Sequence, residues 1–376
     1  MKPDLRAKMP ASASFVIKEL SSWPLSPRPL SRAEPIRELH LEVTHRCDLK
    51  CRMCHHWRIK KAGKEISPQA LARMLDSSKL LRGIKTAVLT GGEPCLRPDL
   101  AELAAVIANR FPKISLGILS NLSNTGLLFR RIDECLAKGV SGLWLGSSLD
   151  GVGAAHDRVR GSRGAYARTM KSARALRARY PKMDLAFNFT LLPSNAEGLI
   201  DAYLAAKELK VWFGAQKVVN HEGLEAETFT WSPKELAAAL ARIDWVIADI
   251  CAENKAFEKL MSGKESETPW LWSSLIYWIR LKDYMISPRR LMGDCYAGQR
   301  YAMLSPAGDL FFCPVLKHRT VGNALEDGFD AAWTCPKAQT ERKNIAAWDC
   351  HCWLHCTANP VIESAMERRF SPERKL

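Results

Sequence analysis

At 376 residues, 47% hydrophobic and 25% charged, the chain has the make-up of a folded globular protein with room for one large domain and one or two smaller ones. It has no apolar run near the ~18 residues of a membrane span. Its start, Met1-Lys2-Pro3-Asp4, leads into no apolar secretory segment, so a reducing cytoplasm is expected and its 12 cysteines point to metal or redox use rather than disulfides.

The net charge of +15 is scattered, without an arginine-rich helix or an aromatic–basic alternation. That argues against nucleic acid and leaves a basic face suited to a small acidic electron carrier.

In chain order, Pro10, Pro24, Pro27, Pro29 and Pro35 lie among many serines and predict an extended N-terminal arm over residues 1–35. Leu39-His40-Leu41-Glu42-Val43-Thr44 then alternates as a strand. Directly after it, Cys47, Cys51 and Cys54 follow a C-x3-C-x2-C spacing. The spacing is too short for the two distant ligand pairs of a zinc finger. A cubane iron–sulfur cluster takes four cysteines, so three leave one iron open to a substrate or cofactor.

From 36 to 219, strand-like segments at 37–43, 84–90, 115–120, 142–148, 184–190 and 212–219 alternate with amphipathic runs at 68–81, 98–110, 127–138, 164–179 and 197–209. This predicts parallel βα units closing or partly closing a barrel, with the chemistry at the C-terminal strand ends. Gly91-Gly92-Glu93-Pro94 ends the second strand, where glycines permit close approach of a ligand and the Glu93 carboxylate can receive an ammonium group. Ser147-Ser148-Leu149-Asp150-Gly151 ends the fourth and is followed by His156-Asp157 and Arg160. Asn121 and Asn188, at the third strand end and in the fifth strand, are polar groups for the pocket, equally suited to turn capping and cross-strand bonding.

Residues 220–290 read as a helical linker, opened by Ser232-Pro233-Lys234-Glu235 and patterned as helix through Glu258. Trp270, Trp272, Tyr277, Trp278 and Tyr284 crowd its second half. Packing on the barrel is the expectation, with a substrate groove as the alternative. Over 291–360 the cysteines return, with Cys295 and Cys313 at the ends of a hairpin and then Cys350, Cys352 and Cys356. Cys335 lies in a helical run, while Cys95, Cys135 and Cys251 are isolated and read as packed thiols. Residues 361–376 read as a charged, solvated tail.

The cysteine loop, with Gly91-Gly92-Glu93-Pro94 one strand later, resembles the radical S-adenosylmethionine (radical SAM) enzymes. The resemblance implies an α/β fold with a partial (β/α)6 TIM-like barrel over 36–219. It implies a 4Fe-4S cluster on Cys47, Cys51 and Cys54, with S-adenosylmethionine on the open iron. Gly91, Gly92, Glu93 and Pro94 would meet the amino group. Met53 stands where many members carry an aromatic residue near the adenine. Ser148 would face the ribose and Arg160 the carboxylate, with Asp150, Asn121 and Asn188 nearby.

The later C-x12-G-x4-C opening, Cys295 to Gly308 to Cys313, resembles the small cysteine-rich α+β SPASM or twitch domain, which holds auxiliary 4Fe-4S clusters. The fuller pattern has seven cysteines where this chain has six from 295 onward. One auxiliary cluster therefore fits, on Cys295, Cys313 and Cys356 with Cys350 or Cys352; four thiolates equally suit Zn²⁺.

The resemblance implies an oxidoreductase that cleaves S-adenosylmethionine reductively to a 5′-deoxyadenosyl radical and modifies a substrate oxidatively. An electron donor such as flavodoxin or ferredoxin would serve it. A peptide or protein is the leading substrate. A sugar, nucleoside, lipid or tetrapyrrole precursor is the runner-up, and a non-catalytic, metal-binding, nucleic-acid-binding protein is the alternative of another class. No catalytic side chain is assigned.

Overall fold

The computed structural model describes residues 8–25, 36–54, 56–59, 63–219, 229–293, 295–347 and 351–370. Its first element corrects the expectation of an extended arm over 1–35. The proline-free interval after Pro10 forms α1 (Ala11–Ser21), with Pro10 at the N-cap and Ala13, Val16 and Leu20 buried. That spacing is a helical stripe, and the prolines bound it rather than abolish it. Residues 26–35 lie outside the described residues.

The βα alternation then unfolds as expected, in the order β1 (Glu38–Thr44), α2 (Pro68–Ser77), β2 (Thr86–Gly91), α3 (Leu100–Arg110), β3 (Ser115–Leu119), α4 (Thr125–Ala137), β4 (Leu143–Ser148), α5 (Ala154–Arg160), α6 (Ala165–Arg179), β5 (Leu185–Leu191), α7 (Leu199–Glu208) and β6 (Trp212–Lys217). The six strands pair in parallel, each with the next, and make a partial (β/α)6 barrel. Leu39, Leu41, Val43, Leu116, Ile118, Leu145, Phe187 and Phe189 are buried in the core, on the face that the helices cover. The alternate residues line the lumen. Glycine there makes room for a ring: a Cβ on Gly117 would stand 2.3 Å from the side chain of its register partner Trp144.

Beyond the barrel, α8 (Pro233–Glu253) starts with a capping box between Ser232 and Glu235. The helical pattern expected through Glu258 breaks at Lys255, which takes a left-handed φ of +50°, and resumes as α9 (Ala256–Met261). In α10 (Pro269–Ile286) the aromatic rings pack inward as expected: Trp272, Tyr277, Trp278 and Tyr284 are buried, and Trp278 stacks on Phe213 of β6 at 6.3 Å. Trp270 is the exception and stays 60% exposed.

The cysteine-rich segment extends the barrel's own sheet. β7 (Tyr301–Leu304) pairs in parallel with β1, Glu38 opposite Tyr301, and β8 (Asp309–Phe311) and β9 (Gly322–Asn323) add antiparallel strands. Among the described residues the order is β6-β5-β4-β3-β2-β1-β7-β8-β9. The helices α11 (Phe329–Thr334), α12 (Pro336–Ala347) and α13 (His355–Phe370) close the segment.

The solvated tail expected over 361–376 is corrected as well. α13 runs through Phe370 and buries Val361, Ile362, Ala365 and Met366, a stripe interrupted by the charges that made it read as tail. Residues 371–376 lie outside the described residues. Among those described, no helix is long and apolar enough to cross a membrane.

Candidate functional site

The cysteine loop after β1 is clamped from two sides by backbone. On one side, the Gly92 N–H donates to the Thr44 carbonyl at 2.8 Å and the Glu93 N–H to the Arg46 carbonyl at 2.7 Å. A Cβ would stand 2.2 Å from the Thr44 oxygen if placed on Gly91, which sits at φ +125°, and 2.1 Å from the Arg46 oxygen if placed on Gly92. The glycines expected to admit a ligand therefore admit the chain's own cysteine loop. On the other side, Gly161 leaves no room for a Cβ against the Lys50 carbonyl, 2.1 Å away, and the Arg52 N–H donates to the Val159 carbonyl at 3.0 Å. Met53 packs with Val159, Leu192 and Phe229. Gly92→Ala is expected to force the loop off the end of β2, at a cost of about 1–3 kcal/mol. Thermal unfolding of the apo-protein and iron content after reconstitution would both register it.

The Glu93 carboxylate is already engaged within the chain. It is 3% exposed and accepts from the Ser120 hydroxyl at 2.9 Å and from the backbone N–H groups of Asn121 at 2.7 Å and Cys95 at 3.1 Å. Burial raises its pKa against the pull of these donors. Pro94 begins the short turn beneath it. Asn121 is a framework residue too: its amide donates to Asp48 in the cysteine loop at 2.6 Å and its side-chain oxygen accepts from the Ser123 N–H at 2.8 Å. The bond from Ser123 is the turn cap expected as one of its two readings.

Ser148 and Asn188 are register partners on β4 and β5, and the Asn188 Oδ1 is buried with no partner. Asp150, fully buried, accepts from the Thr190 N–H at 2.7 Å and pairs with Arg160 at 2.5 Å. Arg160 also reaches the Cys51 sulfur at 3.6 Å, and its Nε is left unpartnered. Burial opposes the charge on Arg160, but Asp150 and Cys51 outweigh it and hold the guanidinium protonated. These orphaned polar atoms beside three thiols suit a polar cofactor carried on a cluster.

One constellation was not legible in the sequence. The Lys317 ammonium donates to Glu42 Oε2 at 2.6 Å and lies 3.2 Å from His56 Nε2. His56 Nε2 is 3.4 Å from Glu42 Oε1, and its Nδ1 is 3.4 Å from the Cys54 sulfur. Burial opposes ionisation of Glu42, yet His45, His56 and Lys317 together hold its pKa well below the carboxylate range. Burial would lower His56, but Cys54 and Glu42 overcome it and lift it to about 9. Glu42, His45 and His56 bring three metal-type donors within 4.8 Å of one another, but the Lys317 ammonium already supplies the cation. Glu42 sits at an inward position of an alternating strand, the one signal available; nothing in the sequence ties Lys317 to it.

The second cysteine set comes together under β7. Burial pushes the Cys313 thiol far up, and the nearby Cys352, Cys295 and Cys356 push it further. Cys352 is gathered with the other three; Cys350 lies outside the described residues. Thiols so placed are hard to ionise together without a multiply charged metal centre, which deprotonates its ligands outright. Beside them the Tyr301 hydroxyl is buried with no partner, a donor available to a sulfur.

A cavity of about 830 Å³ adjoins this region, walled by Trp212, Trp270, Tyr277 and Trp278 and by Glu363 and Glu367 of α13. The aromatic helix thus packs on the barrel and also lines a cavity with Trp270, Tyr277 and Trp278.

Comparison with known proteins matches residues 41–205 to the radical SAM superfamily and 295–357 to an iron–sulfur cluster-binding domain, SPASM. PqqA peptide cyclase of Xanthomonas axonopodis pv. citri (strain 306) is 30% identical over 287 residues, covering 76% of this chain and 69% of that protein. The Gluconobacter oxydans protein of the same name is 28% identical over 283 residues, or 74% and 70% of the two chains. Two solved structures share the fold. Streptococcus suis SuiB bound to precursor peptide SuiA has a TM-score of 0.56 at 17% identity, over 88% of this chain and 70% of that one. The anSMEcpe protein with bound AdoMet has a TM-score of 0.58 at 15% identity, over 90% and 98%.

Proposed function

Because the chain belongs to the radical SAM superfamily and carries its iron–sulfur cluster-binding SPASM domain, we propose that it is a peptide-modifying oxidoreductase acting on a ribosomally made peptide. With a 4Fe-4S cluster and S-adenosylmethionine bound, the pair supplies a reductively released 5′-deoxyadenosyl radical that takes a hydrogen atom from the substrate. The chain's own residues do the rest. Cys47, Cys51 and Cys54 would hold the first cluster, and Cys295, Cys313, Cys352 and Cys356 an auxiliary one that accepts the substrate's electron.

Asp150 fixes Arg160 against Cys51, so Arg160 is assigned to the cluster thiolate first and to the cofactor carboxylate only through its free Nε. Ser148 and Asn188 are assigned to the sugar. With Glu93 committed internally, the cofactor's amino group is left to the backbone at Gly91 and Gly92. The aromatic cavity offers a peptide a seat of ordinary ligand-site size. The net charge of +15 suits an acidic flavodoxin or ferredoxin as the electron donor.

The observation that carries the reading is the second set of four thiols, gathered next to the barrel around the buried Cys313. It favours an oxidative outcome, and the PqqA peptide cyclase relatives favour a peptide.

Anaerobic reconstitution should load about eight irons per chain, as two four-iron clusters require. Dithionite and S-adenosylmethionine should then release 5′-deoxyadenosine, and a peptide encoded beside the gene should lose a pair of hydrogen atoms by mass. Cys313→Ala should lose roughly half the iron and all peptide oxidation while retaining uncoupled cleavage. Full activity of that variant would overturn the auxiliary role; bound zinc without turnover would overturn the enzyme reading.

A further inference from the structure

The two cysteine sets lie on segments far apart in the chain, yet a partly buried polar line runs from Cys54 to the turn that follows Cys313. Lys317 is in the turn that follows Cys313, separated from it by the short helical turn Pro314–Leu316. Its ammonium meets Glu42 on β1 and His56 behind the first cysteine loop. His56 in turn meets Cys54. The side chains are well enclosed, with Glu42 7%, His56 18% and Lys317 25% exposed.

Each link has one sensible polarity. A sulfur ligand accepts, so His56 presents Nδ1–H to Cys54. Its Nε2 is then left to accept from Lys317 or, when protonated, to donate to Glu42; either state needs the Glu42–Lys317 pair beside it. Glu42 is the centre of the line, since both the ring and the ammonium touch its carboxylate.

We infer that Glu42 and Lys317 are positioning residues that set the reduction potential of the first cluster through His56 and Cys54, and that they tie this setting to the conformation of the auxiliary-cluster loop. The inference rests on the reading of Cys54 and Cys313 as cluster ligands.

Hydrogen bonds to cluster sulfurs and the net charge around a cluster set its potential. In an enclosed site a unit charge several ångströms away acts with little screening. Lys317 favours the reduced, more negative cluster and Glu42 opposes it. Removing one or the other must therefore move the potential in opposite directions. A merely structural role would loosen the loop either way and move it in one. The line also predicts communication, because disturbing the Cys313 loop displaces Lys317 and is felt at Cys54.

The test is a potentiometric titration of the anaerobically reconstituted protein, following the paramagnetic signal of the reduced first cluster. At a fixed applied potential Lys317→Met should lower the ratio of reduced to oxidised cluster on the order of tenfold, and Glu42→Gln should raise it by a similar factor. Cys313→Ala should shift the ratio in the wild-type background and lose most of that effect in the Lys317→Met background, a coupling of the kind a double-mutant cycle isolates.

Should Glu42→Gln fold poorly, His56→Phe keeps the ring's bulk and removes the bond to Cys54. It should alter the signal's line shape at unchanged iron content. Shifts of the same sign for Lys317→Met and Glu42→Gln, or a ratio unchanged in both, would overturn the inference. Absence of any reduced-cluster signal in the wild type would instead overturn the reading of the cysteines themselves.

Discussion

Cys51→Ala is expected to reduce S-adenosylmethionine cleavage to background while the chain still folds. Cys51 is the most enclosed of its triad at 7% exposure, and its thiol is pushed up by burial and drawn back by Arg160. Its carbonyl also receives the Trp57 indole N–H at 3.2 Å, so the backbone at this point is held whether or not the sulfur is present. Removal of the sulfur leaves two thiolates where a cubane requires at least three from the protein.

Iron should fall by about half, to the share of a single four-iron auxiliary cluster, and 5′-deoxyadenosine should be undetectable. Cys135→Ala is the control. Cys135 is fully buried in α4, so its loss should lower stability and leave iron and cleavage unchanged. Cleavage surviving Cys51→Ala would remove the first cluster from this loop.

Arg160→Leu is expected to be the most destabilising single change in the site. Asp150 is fully buried and its charge is matched by Arg160 alone among the groups acting on it, with the Thr190 N–H as its other support. Breaking a buried pair by removing one partner costs about 3–5 kcal/mol, because the other charge stays behind. Denaturant unfolding of the apo-protein would measure this.

The pH dependence separates that cause from lost packing. Burial already raises the Asp150 pKa, and without the arginine it must rise further. A folded-state pKa above the unfolded one gives stability that is present below the unfolded value and lost as pH rises through the folded value. The deficit of Arg160→Leu should thus be small at acid pH and full at neutral pH. Adding Asp150→Asn should recover part of the stability without recovering cleavage. A deficit independent of pH would point to the lost side-chain packing instead.

The barrel was legible because its strands are short apolar or alternating runs separated by amphipathic ones, and each expected strand lies within a residue or two of the observed one. The first cysteine loop was legible from spacing alone. What escaped depends on contacts that no local pattern records. α1 is a single helical stripe between prolines, and its partners lie elsewhere in the chain. The end of α13 carries enough charge to read as tail because only one face is covered. Gly91 and Gly92 announced a close approach but not of what: the approaching group is the chain's own carbonyls. Glu93 looked like a ligand for an ammonium, and three internal donors claim it. Lys317 is one of many lysines until the fold sets it against Glu42.

The pairing of β7 with β1 bears on how the chain reaches this structure during synthesis. β1 lies next to the first cysteine loop, and the strand that covers its free edge belongs to the far end of the chain. Closing so long a loop costs only slowly growing entropy, but contacts so distant in sequence form late. At ribosomal speeds of roughly 5–20 residues per second, β1 waits many seconds with one edge bare and its neighbouring thiols uncovered. A bare strand edge is a template for pairing with another chain. Weak induction, which keeps nascent chains dilute, with iron and sulfide supplied throughout should therefore raise the soluble yield.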